Sequence, residues 1–230
     1  MSKLGSLFKW KKEISIIDNS GVTKDKVYIR IVGDIDYQEA QTIGLLASRS
    51  LRKNLRNENS LDFKSNFTDL NDRTKEEFII GIVMSEINDY RDLAITKFPV
   101  KDLPELPDEP TLEQREEYEE QLEKIRTDRT NDVKKFMEDK TEQRKKELEE
   151  KNIDELKDSF TTATINMRCL EEFNKEFKSY CVYKGTFTDS KLKKLAFDSF
   201  DEFKDSSPYM KVQLINAYTD LELSGEDLKN

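Results

Sequence analysis

The sequence predicts a mainly helical protein with a small N-terminal β-hairpin, a helical core and a long, charged helical arm. Three observations lead to that class. Seven glycines and five prolines in 230 residues are too few for a sandwich or barrel, which needs a turn residue every 8–12 positions or so. Hydrophobic residues make up 35% of the chain and charged residues 38%, against roughly 45–50% and about 25% in ordinary domains, so part of the chain must be solvated helix. No Gly or Pro interrupts the stretch from Thr111 to Lys184.

The elements follow in chain order. Ile14-Ser15-Ile16-Ile17 and Val27-Tyr28-Ile29-Arg30-Ile31-Val32 are β-branched runs on either side of the polar Asp18-Asn19-Ser20-Gly21, the pattern of a hairpin. Val27, Ile29 and Ile31 share one face of the second strand, and Tyr28, Arg30 and Val32 the other. Two strands alone are marginal in water, so the hairpin must pack on a helix or find further strands in another subunit. Gly33-Asp34-Ile35-Asp36 marks a boundary, with Asp34 or Asp36 as N-cap. From Tyr37 to Arg56 the spacing of Ala40, Ile43, Leu46, Ala47, Leu51 and Leu55 predicts an amphipathic helix.

Asn57 to Asp72 reads as a loop, and Thr74 caps a helix over Lys75 to Leu93 whose stripe is Phe78, Ile79, Ile82, Val83, Ile87 and Tyr90. The hairpin and these two helices form the expected core, residues 1–98. Pro99, Pro104, Pro107 and Pro110 make 99–110 an extended strap or linker. Residues 111–184 form the arm: 25 of the 41 residues from 111 to 151 are charged, the apolar seam is thin, and Arg129 and Lys140 interrupt any heptad repeat. A helical hairpin that reverses between 138 and 153 fits better than a coiled coil, and the second arm is richer in Leu and Phe. Residues 185–230 pack back on the core as a helical segment, with Pro208 opening its last helix. A solvated arm predicts that alanines at Glu142, Arg144 and Lys145 leave the melting midpoint unchanged.

Several kinds of chemistry are disfavoured by what the chain lacks. It has no histidine, which removes the commonest general base and zinc ligand and every Ser-His or Cys-His pair. No two glycines lie close enough for a phosphate-binding loop. Cys169 and Cys181 are twelve residues apart on one expected helix, about 18 Å at 1.5 Å per residue, too far for a disulfide. We therefore expect no enzyme, no catalytic residues, no cofactor and no metal site. No apolar run is long enough to span a bilayer, and Met1 to Lys12 lacks a signal-peptide core, so the expected location is the cytoplasm.

The net charge of −9 is unevenly spread: residues 1–57 hold eleven Lys/Arg and six Asp/Glu, a balance of +5, and the rest carries −14. Arg49, Arg52, Lys53 and Arg56 fall on one helix face at i, i+3, i+4 and i+7. A solvated face that complements the helix dipole is the plain reading; a dock for an acidic surface is the sharper one. No aromatic residue interleaves the patch, which favours a protein over nucleic acid as partner. Phe200 and Phe203, in Asp198-Ser199-Phe200-Asp201-Glu202-Phe203, read as a core helix with a wet face, or as a short motif that inserts into a partner groove.

Gly33-Asp34-Ile35-Asp36, Ala40 and Ser48-Arg49-Ser50-Leu51-Arg52-Lys53-Asn54-Leu55-Arg56, with the Pro-rich strap, the charged helix and the Phe-rich acidic tail, resemble phage tail assembly chaperones. That resemblance implies a factor in the host cytoplasm that binds another protein, a phage tail component, holds its aggregation-prone surface until polymerisation, and stays out of the finished particle. The long helical middle departs from the group. Two other expectations stand beside it: a structural component of the tail or neck, and an acidic inhibitor of a host nucleic-acid enzyme. The positive N-terminal quarter argues against the inhibitor, which should present one sustained acidic face.

Overall fold

The computed structural model describes residues 11–17, 23–100 and 110–226. Among them lie β1 (Lys11–Ile17), β2 (Thr23–Arg30), α1 (Asp34–Leu55), α2 (Leu61–Phe67), α3 (Lys75–Lys97), α4 (Leu112–Glu149), α5 (Ile153–Gly185), β3 (Thr186–Phe187), α6 (Phe200–Asp205) and α7 (Pro208–Glu226). The mainly helical class with an N-terminal hairpin is therefore observed, and α4, at 38 residues, is the long charged helix. The Asp18–Gly21 turn, most of the Pro-rich strap and the first ten residues lie outside the described residues. The chain divides into two compact units, residues 1–57 with 168–230 and residues 58–167.

In the first unit β1 and β2 pair antiparallel from Lys11↔Arg30 to Ile17↔Thr23. The third strand that completes the sheet comes from this same chain: Tyr28 pairs with Phe187 and Ile29 with Thr186. Helix α7 lies across β1 and β2, and its Gln213 side chain extends the ladder, accepting from Ile17 N at 3.0 Å and donating to Ile17 O at 2.8 Å. Ile29, Phe203, Leu214 and Tyr218 fill the space between. Gly185 belongs there because a Cβ would sit 2.5 Å from the Arg30 carbonyl oxygen, inside any van der Waals contact. Val32, assigned by strict alternation to the outer face, is buried instead. The strand ends at Arg30, so alternation lapses, and Val32 N donates to Tyr218 Oη at 3.3 Å.

The second unit has its own buried centre. Phe78 and Ile82 of α3 are about 1% exposed, and the Phe78 ring meets Phe160 edge-on at 5.5 Å. The Arg73 guanidinium covers Phe160 from 4.5 Å. Capping boxes open α3 at Thr74 with Glu77 and α4 at Thr111 with Gln114, each satisfying two otherwise orphaned donors. Helices α3 and α4 run antiparallel: Lys75 Nζ donates to Glu149 O at 2.6 Å, Arg144 grips both Glu86 oxygens at 2.9 Å, and Arg129 Nε donates to Phe98 O at 2.9 Å.

Several expectations are corrected. The hairpin and α3 do not share one core, since Ile29 belongs to the first unit and Phe78 and Ile82 to the second. Asn57 to Asp72 is not all loop; Ser60 caps the short α2, accepting from Phe63 N. Asp34 and Asp36 lie in the first turn of α1, while Gly33 holds the N-cap position. The helix breaks between Glu149 and Ile153, inside the expected window, but the closest neighbour of α4 is α3 and not α5. The charged segment is therefore not a bare arm, and its charges are not all solvated.

Arg144 is only 28% exposed and Glu86 25%, so this pair holds the two helices together. Alanine at Arg144 should lower the melting midpoint where alanine at Glu142, 62% exposed, does not. A double-mutant cycle of Arg144→Ala with Glu86→Ala, read by urea unfolding, should give a coupling of about 1 kcal/mol. A coupling of zero would leave α4 as the solvated arm of the sequence reading.

Candidate functional site

The candidate site is the outward face of α1, and its orientation follows from what lies behind the helix. Ala40, Gly44 and Leu55 are buried, one line of small and apolar residues at helical spacing. A Cβ at Gly44 would lie 2.8 Å from Phe173 Cδ2 and 2.9 Å from the Phe173 carbonyl oxygen, so at this residue α1 approaches α5 too closely for any side chain. Tyr37 meets Phe177 edge-on at 5.0 Å, and Phe173 stacks on Phe177 at 5.8 Å.

Charge fixes the N-terminal end. Lys184 Nζ lies 3.0 Å from Glu39 and 3.4 Å from Asp36, Tyr180 Oη donates to Glu39 at 2.8 Å, and Arg30 approaches Asp36 at 3.9 Å. The Tyr180 hydroxyl, and then Lys184, hold the Glu39 carboxyl below the ordinary 4.5. Partial burial works against the charged form of Lys184, but Glu39, Tyr180 and Asp36 outweigh it and raise its pKa.

With that side committed, the opposite side is presented. At about 100° per residue, Leu45, Arg49, Arg52, Lys53 and Arg56 fall within one sector, with Leu46 at its edge. Arg49, Lys53 and Arg56 are exposed and Arg52 is half-buried. Leu45 is 48% exposed and Leu46 56%, so two leucines adjoin the cations, a combination that suits an acidic segment carrying apolar side chains. Sequence periodicity placed Leu46 inward. The misleading step was Gly44, invisible to an apolar count; the run Ala40, Gly44, Ala47, Ser48 at i, i+4, i+7, i+8 carries the true signal of a close-packed face.

The Phe-rich stretch is placed elsewhere. Phe203 is fully buried, stacked on Phe200 at 6.2 Å and edge-on to Phe197 at 5.2 Å. Phe200 is half-buried against Tyr180 and Tyr183, with Lys204 Nζ 4.8 Å over its ring. These rings serve the core, not a partner groove. They lie at the Glu39 end of α1, whereas the cations begin ten residues and end seventeen residues further on, about 15–25 Å along the axis, so the fold does not bring the two groups together.

No family model, curated protein or solved structure matches the chain. Among the described residues no group of three or more His, Cys, Asp or Glu side chains is placed to hold a metal ion, and no helix is long and apolar enough to cross a membrane.

Two measurements check this geometry. Gly44→Ala should destabilise the protein by about 1–3 kcal/mol, the usual cost of overpacking, although alanine is the better helix former; a stabilised variant would show that α1 is not pressed on Phe173. Glu39 has a depressed folded pKa, so its contribution is fully present above the ordinary 4.5 and is lost as pH falls through the lower folded value. Glu39→Gln should therefore lower the melting midpoint near neutral pH, and the gap to wild type should close as pH falls below that value. A gap independent of pH would mean that the carboxylate charge does not hold α1.

Proposed function

We propose that the chain is a non-enzymatic assembly factor that binds another protein through the outward face of α1, the partner supplying an acidic segment with apolar side chains. The observation that carries this reading is the pair Leu45 and Leu46, left half-exposed beside Arg49, Arg52, Lys53 and Arg56 on a helix whose other side is packed. Each leucine still exposes about half of its surface, so covering it contributes about 1 kcal/mol, while the cations set orientation and encounter rate.

The resemblance to phage tail assembly chaperones supports the same reading, because such a factor must cover the apolar surface of a tail component and then release it. The partner is in that case a tail protein and the place is the host cytoplasm. The chain's overall charge of −9 gives the positive face of α1 added contrast, steering an acidic client to it and not to the rest of the surface.

A photo-crosslinking residue at position 46, introduced in cells that express the chain naturally, should capture one protein through an acidic, apolar-bearing segment. With that protein purified, Arg49→Glu with Lys53→Glu should slow association by about tenfold or more and flatten its salt dependence, with the helical circular dichroism unchanged. Absence of the chain from purified particles marks an assembly factor; presence at fixed stoichiometry marks a structural component. A crosslink at position 46 no stronger than at exposed Glu58 would remove the site.

A further inference from the structure

We propose that the groove between α3 and α4 is a docking site for an acidic amphipathic helix of another protein. It lies in the second unit and does not rest on the reading of α1. The groove encloses about 580 Å³. One wall is Ile87, Arg91 and Ile95, at i, i+4 and i+8 on α3; the other includes Val133, Met137 and Thr141, at i, i+4 and i+8 on α4. Both walls therefore repeat at the helical period over about 12 Å, the spacing that receives the side-chain ridge of a third helix.

The groove is longer than a compact ligand needs. Ile80, 49% exposed, and Met84, 60% exposed, continue the Ile87 line towards the start of α3, so the apolar stripe from Ile80 to Ile95 runs about 22 Å, or four helical turns. Exposed apolar stripes of this kind mark contact surfaces. An amphipathic helix laid along the stripe would place i, i+3, i+7 and i+11 side chains between the walls.

Charge selects among the occupants. Arg91, Arg129 and Lys134 border the groove against one acidic neighbour, Glu138. Lys134 meets Glu138 only at 3.9 Å and Arg91 meets Asp92 only at 3.7 Å, all well exposed, so these pairs are weak and open to re-pairing. A second copy docked by the same face would set these cations against their own counterparts. An incoming helix with glutamates flanking its apolar seam meets them instead.

The probe is a synthetic 18-residue peptide with leucines at positions 4, 7, 11 and 15, glutamates beside them and alanines elsewhere, titrated against the full chain by fluorescence anisotropy. Saturable binding is expected. Met84→Ser and Ile95→Ser, each folded by its melting curve, should weaken binding by about tenfold. Arg91→Glu with Lys134→Glu should weaken it and reduce its salt dependence, while Arg49→Glu on α1 leaves it unchanged. The proposal is overturned if the peptide does not saturate, if a lysine-flanked version binds equally well, or if the Met84 and Ile95 variants bind as wild type does. It is also overturned if sedimentation shows a wild-type dimer that these two substitutions dissociate, because a second copy then occupies the groove.

Discussion

The contact of α1 with α5 at Gly44 decides what the first unit shows to its surroundings. With no side chain there, the Phe173 ring and carbonyl sit where a Cβ would be, and the helix turns its small-residue line inward. Every outward residue is set by that choice, since rotation about the axis moves all positions together. Larger inward residues would have held the helices further apart and let leucines share the interface. Small ones keep the leucines out. The Lys184, Asp36 and Glu39 cluster then fixes the end of the helix electrostatically, where packing alone leaves rotation less constrained.

The sequence disclosed elements better than it disclosed neighbours. The hairpin, the Thr74 cap and the helix opened by Pro208 were legible because local chemistry determines them: β-branched alternation, a side-chain oxygen three residues before a Glu, and a proline with no N–H to lose. The third strand was not legible, because Thr186-Phe187 is two residues long and gains its identity only by pairing with Tyr28 and Ile29. Helix α2 was hidden by polar composition, its signal resting on Ser60. The basic face was visible as charge, but the leucines beside it were not. Which apolar residues are left over depends on how closely a partner helix approaches, and no periodicity records that distance.

Helix α3 shows how one element can serve more than one surface. Phe78, Ile79, Ile82, Val83 and Ala94 are buried, while Ile80, Met84 and Ile95 remain largely exposed. A helix apolar on more than one side is buried on every side or awaits a neighbour. The α4 helix beside it is mostly charged, yet it holds α3 through a few directed contacts: Arg144 to both oxygens of Glu86, Lys75 to the Glu149 carbonyl, and Lys97 over the Phe136 ring at 4.7 Å. Charge density along a helix is therefore a poor guide to its solvation, because a few side chains at the correct spacing carry the attachment.

Both cysteines lie on α5, free and buried. Burial, with the Glu222 carboxylate close by, pushes the Cys181 thiol up to about 11. The thiol therefore stays protonated at neutral pH and, about 1% exposed, offers peroxide or alkylating reagents little to attack while the chain is folded. Opening of the helix would restore an ordinary thiol. Cys181 is a built-in chemical clock, and its labelling rate reads how often this part of the fold comes apart.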